Sequence, residues 1–268
     1  MKKIALFLAA CAAFFSCSPK NEVTLFPVSD FEAEVDGKQV SLYTLQAGDI
    51  TMQVTNFGAR VVSLWTPDKK GSYEDIVLGY NNIDSYINNP GERFLGAVVG
   101  PYANRIAKGT YTIGDQAYNF PQNNNGQTLH GGEKGLDMVV WDVFAADESS
   151  IVFTYTHADG QEGMPGNVEI FMTYTLTPEN EFRVDYLAET DKATHVNISH
   201  HSFFNISANF HQTVENQMMW IDGDFITPYD ENKKVAGGYA AVEGTPFDFR
   251  TPQIISERID EENAQIKI

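Results

Sequence analysis

The stretch Val168-Glu-Ile-Phe-Met-Thr-Tyr-Thr-Leu176 has an apolar residue at every second position, and Glu181-Phe-Arg-Val-Asp-Tyr186 repeats this pattern shortly afterwards. A period of two is that of a β-strand with one buried face. Thr177-Pro-Glu-Asn180 separates the two runs and is a turn signal, because proline presets φ and asparagine tolerates tight backbone conformations. The pattern predicts an antiparallel hairpin with one face in a core.

The same pattern continues on the N-terminal side of this hairpin. It predicts strands at Val40–Gln46, Asp49–Thr55, Arg60–Trp65, Val139–Ala145 and Ile151–His157. Helical patterns are scarce, since Asn82–Tyr86 and Ile254–Asp260 each support only a turn or two. Many short strands separated by Gly, Pro and Asn predict an all-β, mostly antiparallel β-sandwich that forms one domain over residues 23–268.

Residues 1–16 have the pattern of a signal peptide. Met1-Lys2-Lys3 is basic, and Ile4–Phe15 is apolar but too short to span a bilayer as a helix. A run that ends in Ser16-Cys17 is typical of a bacterial lipoprotein. We therefore predict that Cys17 carries lipid and that residues 17–22 form a tether.

Two alternatives to lipidation at Cys17 remain open. Leu8-Ala-Ala-Cys11 also fits the lipidation pattern but leaves a very short apolar core, and the whole run also fits an ordinary secretory signal. Lipidation at Cys17 places the protein in the bacterial cell envelope, in the periplasm or at the outer membrane, with the lipid as its only membrane contact. The mature protein would then have no disulfide and no cysteine metal site.

The chain is strongly acidic, with a formal net charge of −18 over 268 residues. Such a field repels nucleic acid and anionic lipid headgroups, and it disfavours a strongly anionic substrate. Aromatic residues make up 12% of the chain and supply flat apolar surfaces on which sugar rings pack. We expect a monomer that binds a small neutral ligand and no nucleic acid.

Three polar motifs stand apart from the alternating strands. They are Tyr102-Ala-Asn-Arg-Ile106, Thr128-Leu-His-Gly-Gly132 and Val196-Asn-Ile-Ser-His-His-Ser-Phe-Phe-Asn-Ile206. Histidines titrate near neutrality, and histidines placed among apolar and aromatic residues indicate a half-buried site. His200 and His201 are neighbours, so in an extended segment their side chains point to opposite faces and only one of them can line a pocket.

Arg105 and the glycines after His130 also suit a ligand site. A guanidinium presents a rigid fork of donors that can bind two adjacent hydroxyl groups. Gly131 and Gly132 allow a ligand to approach the backbone closely. On the residues alone, a salt-bridged surface arginine and a structural loop histidine are the more usual interpretations.

The three motifs, in this order, resemble those of the aldose 1-epimerase (galactose mutarotase) family, which read roughly R-Y-A-N-R-I, T-L-H-G-G and V-N-L-T-N-H-S-Y-F-N-L. Asp159–Gly166 and Gly244–Arg250 resemble two further family turns, and the likeness runs from about Val40 to the end of the chain. We expect Asp248 in the second turn to be structural, with Arg250 as a partner. The resemblance implies a galactose-mutarotase-like β-supersandwich with the site in a groove on one sheet.

The resemblance also implies roles for the matching residues. It makes His201 the general acid and His130 a group that orients or polarises the sugar. The implied substrate-binding residues are Asn104, Arg105, Ser202 and Phe203. Family members usually have Asn at the position of His200 and Tyr at that of Phe203, so His200 is expected to support the site from behind.

The activity implied by the resemblance is interconversion of the α and β anomers of neutral hexoses such as glucose and galactose. Ring opening needs one group to take the anomeric proton and another to protonate the ring oxygen. It requires no metal or cofactor, although calcium is expected by analogy with some relatives. The family's base is a Glu in a C-terminal motif, which would fall beyond Ile268, so we expect the C-terminal strands and the base to be missing from this chain.

Two other functions remain to be weighed. A sugar-binding or accessory module without turnover is the alternative that a missing base would favour. An epimerase of hexose 6-phosphates would need additional basic residues near the pocket, and the acidic charge of the chain disfavours it.

Overall fold

Short antiparallel strands form most of the regular structure in this computed structural model, which describes residues 22–88, 91–231, 233–235 and 237–267. The strands are β1 (Ala33–Val35), β2 (Lys38–Val40), β3 (Leu42–Ala47), β4 (Ile50–Thr55), β5 (Arg60–Pro67), β6 (Tyr73–Asp75), β7 (Val98–Val99), β8 (Arg105–Ile106), β9 (Thr110–Ile113), β10 (Gln116–Asn119), β11 (Thr128–Leu129), β12 (Asp142–Ala146), β13 (Ser150–His157), β14 (Val168–Leu176), β15 (Phe182–Thr190), β16 (Ser199–His200), β17 (Met218–Met219), β18 (Phe225–Ile226), β19 (Ala240–Ala241) and β20 (Gln253–Ile254). One α-helix, α1, spans Ile83–Asn88, and 3-10 turns lie at Val28–Phe31, Ala107–Gly109, Leu136–Met138, Gln161–Gly163 and Ile255–Glu257.

Two four-stranded antiparallel sheets provide the sandwich, in the orders β3-β4-β5-β6 and β12-β13-β14-β15. Met52 and Val54 from the first sheet share one buried cluster with Phe153, Ile170 and Met172 from the second. Each of these side chains is fully buried, and complete burial of an aliphatic side chain contributes roughly 1.5–3 kcal/mol. The predicted all-β antiparallel sandwich is confirmed.

The hairpin at Val168–Tyr186 is confirmed as β14 and β15, which pair in register from Leu176 opposite Phe182. Every second residue of β14 is buried, as the period-two pattern predicts. β15 continues to Thr190, four residues beyond the predicted strand, because its partner β14 offers backbone groups as far as Val168.

Two predicted elements have different bounds for identifiable reasons. Val139–Trp141 do not start β12, because this segment bonds instead to Asn56–Gly58 through Trp141 N–H to the Asn56 carbonyl (2.9 Å) and Gly58 N–H to the Val139 carbonyl (2.8 Å). The helix predicted at Ile254–Asp260 is only a 3-10 turn, because Gln253 and Ile254 pair with β17. The helical turn predicted at Asn82–Tyr86 is present as α1.

The predicted signal peptide, Cys17 and most of the tether lie outside the described residues. Of the helices in the described ranges, none is long and apolar enough to cross a membrane.

A buried ionic network joins three segments that lie far apart in the sequence. Arg60, at the start of β5, donates from its guanidinium to the carbonyl oxygens of Arg93 (2.8 Å), Leu95 (3.0 Å) and Asp137 (2.8 Å). The Asp137 carboxylate lies 3.9 Å from Arg60 Nη2 and accepts hydrogen bonds from Arg93 Nε (2.6 Å) and Nη2 (3.0 Å).

Neither Arg60 nor Asp137 has any exposed side-chain surface. Burial lowers the pKa of Arg60, and the negative charge of Asp137 acts in the opposite direction. The Arg60 guanidinium also lies over the rings of Phe57 and Tyr86, 5.5 and 5.2 Å from their centroids. A buried cation of this kind is tolerated only while its partners are in place.

Replacing Asp137 with Asn should therefore destabilise the fold severely. The substitution keeps the side-chain shape but leaves Arg60 buried without a counter-charge. We expect the free energy of unfolding, measured by urea denaturation, to fall by about 3–5 kcal/mol.

Asp142→Asn is the matched control, because Asp142 forms an exposed ion pair with Lys38 at 2.7 Å. This substitution should cost under about 1 kcal/mol. If Asp137→Asn costs no more than Asp142→Asn, the buried network does not have the role assigned to it.

Candidate functional site

The pairing of β8 with β11 brings Asn104 and His130 together. Arg105 pairs with Leu129 in this ladder, so the residue before the first strand meets the residue after the second. His130 N–H donates to the Asn104 carbonyl at 3.1 Å, and Asn104 N–H donates to Nδ1 of the His130 ring at 3.0 Å. Both residues adopt left-handed backbone conformations, with φ of 64° and 54°. Gly131 follows in a position where an added Cβ would collide with the Gly100 carbonyl.

The pairing of β7 with β16 brings His201 to the same place. His201 N–H donates to the Ala97 carbonyl at 2.8 Å, and the His201 carbonyl accepts from Gly96 N–H at 3.2 Å. The rings of His130 and His201 are nearly perpendicular, with centroids 5.1 Å apart. The predicted pair of histidines therefore lies in one site, although the two are 71 positions apart in the sequence.

Two phenylalanines flank the histidines. Phe94 lies 4.7 Å from His130 and 5.7 Å from His201, measured between ring centroids. Phe203 lies 5.1 Å from His201 and is 36% exposed, so its ring forms an accessible apolar surface beside the predicted acid. Motif reasoning did not identify Phe94, which lies in a segment without strand or helix periodicity.

His130 is held in its neutral form. Burial lowers its pKa to about 4, and electrostatic interactions with His201, Arg105 and Arg93 act in the same direction. Because Nδ1 accepts a hydrogen bond from Asn104, the proton of the neutral ring is on Nε2. His130 can therefore donate a hydrogen bond at neutral pH without carrying a charge.

His200 points to the opposite side of the segment, as predicted. The Tyr174 hydroxyl donates to the Ala59 carbonyl at 2.9 Å, so its contact with His200 Nδ1, also 2.9 Å, requires a proton on Nδ1. His200 Nε2 then accepts from the Ser202 hydroxyl at 2.6 Å. Burial is the main reason that the pKa of His200 is lowered to about 4.

This arrangement bears on Ser202, which the sequence predicts to bind substrate. The Ser202 hydroxyl is hydrogen-bonded to His200, which in turn contacts Tyr174. It is not directed at His130. The role of Ser202 in contacting sugar stays a prediction, while its contact with His200 is part of the structure.

Two neighbouring side-chain amides fix the orientation of the Arg105 guanidinium. Its two terminal nitrogens donate to the side-chain oxygens of Asn104 (3.4 Å) and Asn124 (3.2 Å). Its Nε is buried and has no hydrogen-bond partner among the described residues. These contacts are all with neutral groups, so the guanidinium keeps its positive charge available to a ligand.

The Arg60–Asp137–Arg93 network fixes the rear of the site. Arg93 precedes Phe94, stacks over its ring at 5.1 Å, and donates to the Gly132 carbonyl at 3.4 Å. Phe94 and the His130 loop are thus attached to the same buried charges.

Asp248 is separate from this network and forms a two-pronged pair with Arg250 at 2.9 and 2.8 Å, which confirms its predicted partner.

No cluster of three or more His, Cys, Asp or Glu side chains in the described part of the chain could hold a metal ion. The expectation of calcium stays a prediction.

Comparisons with known proteins match the chain to one family. The family model described as aldose 1-epimerase matches residues 41–266. The chain is 33% identical to the galactose mutarotase of Bos taurus over 222 residues, and 32% identical to the aldose 1-epimerase of Escherichia coli (strain K12) over 235 residues. These alignments cover 83% and 87% of the chain, and 64% and 67% of the relatives. The chain thus spans about 64% of the length of the mammalian relative.

Solved structures agree with the sequence match. A galactose 1-epimerase from Lactobacillus acidophilus NCFM superposes with a TM-score of 0.77 and 29% identity, over 88% of this chain and 69% of the other. An aldose epimerase homologue from C. elegans also gives a TM-score of 0.77, with 28% identity over 82% of this chain and 66% of the other. The chain belongs to the aldose 1-epimerase family.

Proposed function

We propose that this protein interconverts the α and β anomers of neutral hexoses such as galactose and glucose. The observation that carries the proposal is the pair of histidine rings 5.1 Å apart beside Asn104 and Arg105. One of the two rings is held neutral as a donor, and the other directly follows a separate strand, β16. The names of the family relatives, galactose mutarotase and aldose 1-epimerase, support the same reaction for this chain.

In the proposed reaction, His201 protonates the ring oxygen as the C1–O5 bond breaks, while a base removes the proton of the anomeric hydroxyl. The open aldehyde rotates about the C1–C2 bond. On closure the C5 hydroxyl adds to C1 and gives its proton to His201, while the base returns its proton to the carbonyl oxygen and so restores the anomeric hydroxyl. The reaction moves only protons and one C–O bond, so it consumes no oxidant or reductant. Acid–base assistance of this kind typically contributes 10²–10⁴-fold to the rate.

The other side chains bind and orient the sugar in this proposal. His130 donates from Nε2 to a sugar oxygen, which polarises it without transferring a full charge. Asn104 and Arg105 supply donors for adjacent hydroxyl groups, and Phe203 offers an apolar face. The base in the family is the C-terminal Glu that the resemblance implies. The groups whose charge acts on His130 are two arginines and the His201 imidazole, and none of them is a carboxylate.

Polarimetry of freshly dissolved α-galactose tests the proposal. We expect a form of the protein that carries the family's C-terminal Glu to speed the approach to anomeric equilibrium well beyond the spontaneous rate. In that form, binding of galactose without any acceleration would contradict the epimerase assignment and favour a sugar-binding module. A protein that neither binds nor accelerates would contradict both.

In the form of the protein that carries the C-terminal Glu, the three histidines should differ sharply when each is replaced by Asn. His201→Asn should lower kcat by about 10²–10⁴-fold, because the amide cannot transfer a proton. His130→Asn should raise KM as well as lower kcat, because the orienting donor is lost. His200→Asn should leave kcat nearly unchanged and instead lower the free energy of unfolding by about 1 kcal/mol through its contacts with Tyr174 and Ser202. An inactive His200→Asn beside an active His201→Asn would show that the acid has been assigned to the wrong histidine.

We also propose that the protein is anchored in the bacterial envelope by lipid on Cys17. Support comes from the basic start, the short apolar run and Ser16-Cys17 in the sequence. Metabolic labelling with a fatty acid should mark the protein, Cys17→Ala should abolish the label, and Cys11→Ala should retain it. Loss of the label only in Cys11→Ala would move the anchor to that residue.

A further inference from the structure

A cleft of about 340 Å³ borders Asn104 and Arg105, and its walls come partly from a segment that no motif singled out. Tyr102, Asn197 and Tyr229 are among its lining residues. Tyr229 lies 125 residues after Asn104. Its contact with that residue therefore depends on the fold and is not visible in any local sequence pattern.

The Tyr229 hydroxyl accepts a hydrogen bond from Nδ2 of Asn104 at 3.1 Å. The other end of the same amide, Oδ1, accepts from Arg105 at 3.4 Å. Arg105 is a pure donor, so it determines which end of the amide is oxygen, and Tyr229 holds the nitrogen end. Asn104 is exposed, so the remaining N–H and the remaining lone pair of this amide face solvent with a fixed orientation.

Gln265 holds Tyr229 in place. Its side-chain Oε1 accepts from Tyr229 N–H at 2.7 Å, and its Nε2 donates to the Tyr229 carbonyl at 2.9 Å. Gln265 is itself tied down, since its N–H donates to Oδ1 of Asn263 at 2.9 Å. Paired hydrogen bonds of this kind fix both the position and the direction of the backbone that carries the phenol.

We propose that Tyr229 and Gln265 are positioning residues of the sugar site. Gln265 clamps the Tyr229 backbone, and Tyr229 presents the Asn104 amide to the sugar in one orientation. A donor and an acceptor that are already fixed bind a pair of hydroxyl groups without a further loss of side-chain conformational entropy. The inference rests on the proposed function, because it takes the ligand at Asn104 to be a sugar.

The test measures binding of galactose by isothermal titration and the side-chain amide resonance of Asn104 by NMR. Tyr229→Phe keeps the ring and removes the acceptor. It should weaken galactose binding about two- to tenfold, the range for loss of one hydrogen bond. It should also shift the Asn104 amide resonance in the absence of sugar, which a general loss of stability would not do.

Gln265→Met removes the clamp at similar volume and should weaken binding to a similar degree. In the Tyr229→Phe background it should add little, because Gln265 acts through the Tyr229 hydroxyl. Tyr239→Phe is the matched control, since Tyr239 is 79% exposed and removal of its hydroxyl should change neither measurement.

Unchanged affinity and an unchanged Asn104 resonance in Tyr229→Phe, with galactose still bound by the unaltered protein, would overturn this inference and leave the proposed function intact. Additive losses in the double variant would overturn the assignment of Gln265 as the clamp. Failure of the unaltered protein to bind galactose would overturn the proposed function, and the inference with it.

Discussion

The buried carboxylate of Asp137 is the constraint on which the site depends. It neutralises Arg60 in the interior and receives two hydrogen bonds from Arg93, so β5, the segment before β7 and the loop after β11 cannot move independently. Because neither Arg60 nor Asp137 has exposed side-chain surface, the attraction between them is screened little by water. Phe94 and the loop of His130 are attached to this network. The buried charge pairing therefore sets the positions of these groups at the site.

That geometry gives three histidines three different environments. His130 is half-buried against Phe94, accepts from Asn104 at one nitrogen and keeps its proton at the other. His200 is also neutral, but both of its nitrogens are occupied by Tyr174 and Ser202, so it has no group to offer a ligand. His201 lies beside His130, with ring centroids 5.1 Å apart, and has its backbone fixed by Ala97 and Gly96. These contacts make His130 a neutral donor and His200 a support, and they leave the acid of the proposed reaction to His201.

Local patterns predict the parts of this arrangement that short-range physics determines. The period of two at Val168–Leu176 identifies β14 because alternate side chains of a strand face opposite sides. The same rule separates His200 from His201 onto opposite faces. It fails at Val139, where three residues pair with a distant turn at Asn56–Gly58 before the strand begins.

The remaining parts depend on contacts between distant positions, which local patterns do not encode. Arg93 and Arg60 lie 44 and 77 residues before Asp137, and neither contact has a periodic signal. Phe94 and Tyr229 are missed for the same reason. The protonated nitrogen of His130 depends on a single backbone N–H from Asn104, so it can be assigned only after β8 and β11 have paired.

The neutral state of His130 is the claim that connects the interior to the chemistry, and nitrogen-15 NMR of the imidazole rings measures it most directly. Titration from pH 8 downwards should show His130 remaining neutral until about pH 4, with its proton on Nε2 and the resonance of Nδ1 shifted by the hydrogen bond from Asn104. Because the folded-state pKa is lowered, this ring should also contribute stability that is lost as the pH falls from about 6.5 towards 4. A His130 ring that takes up its proton near pH 6.5 or above, or that carries its neutral-state proton on Nδ1, would contradict the account.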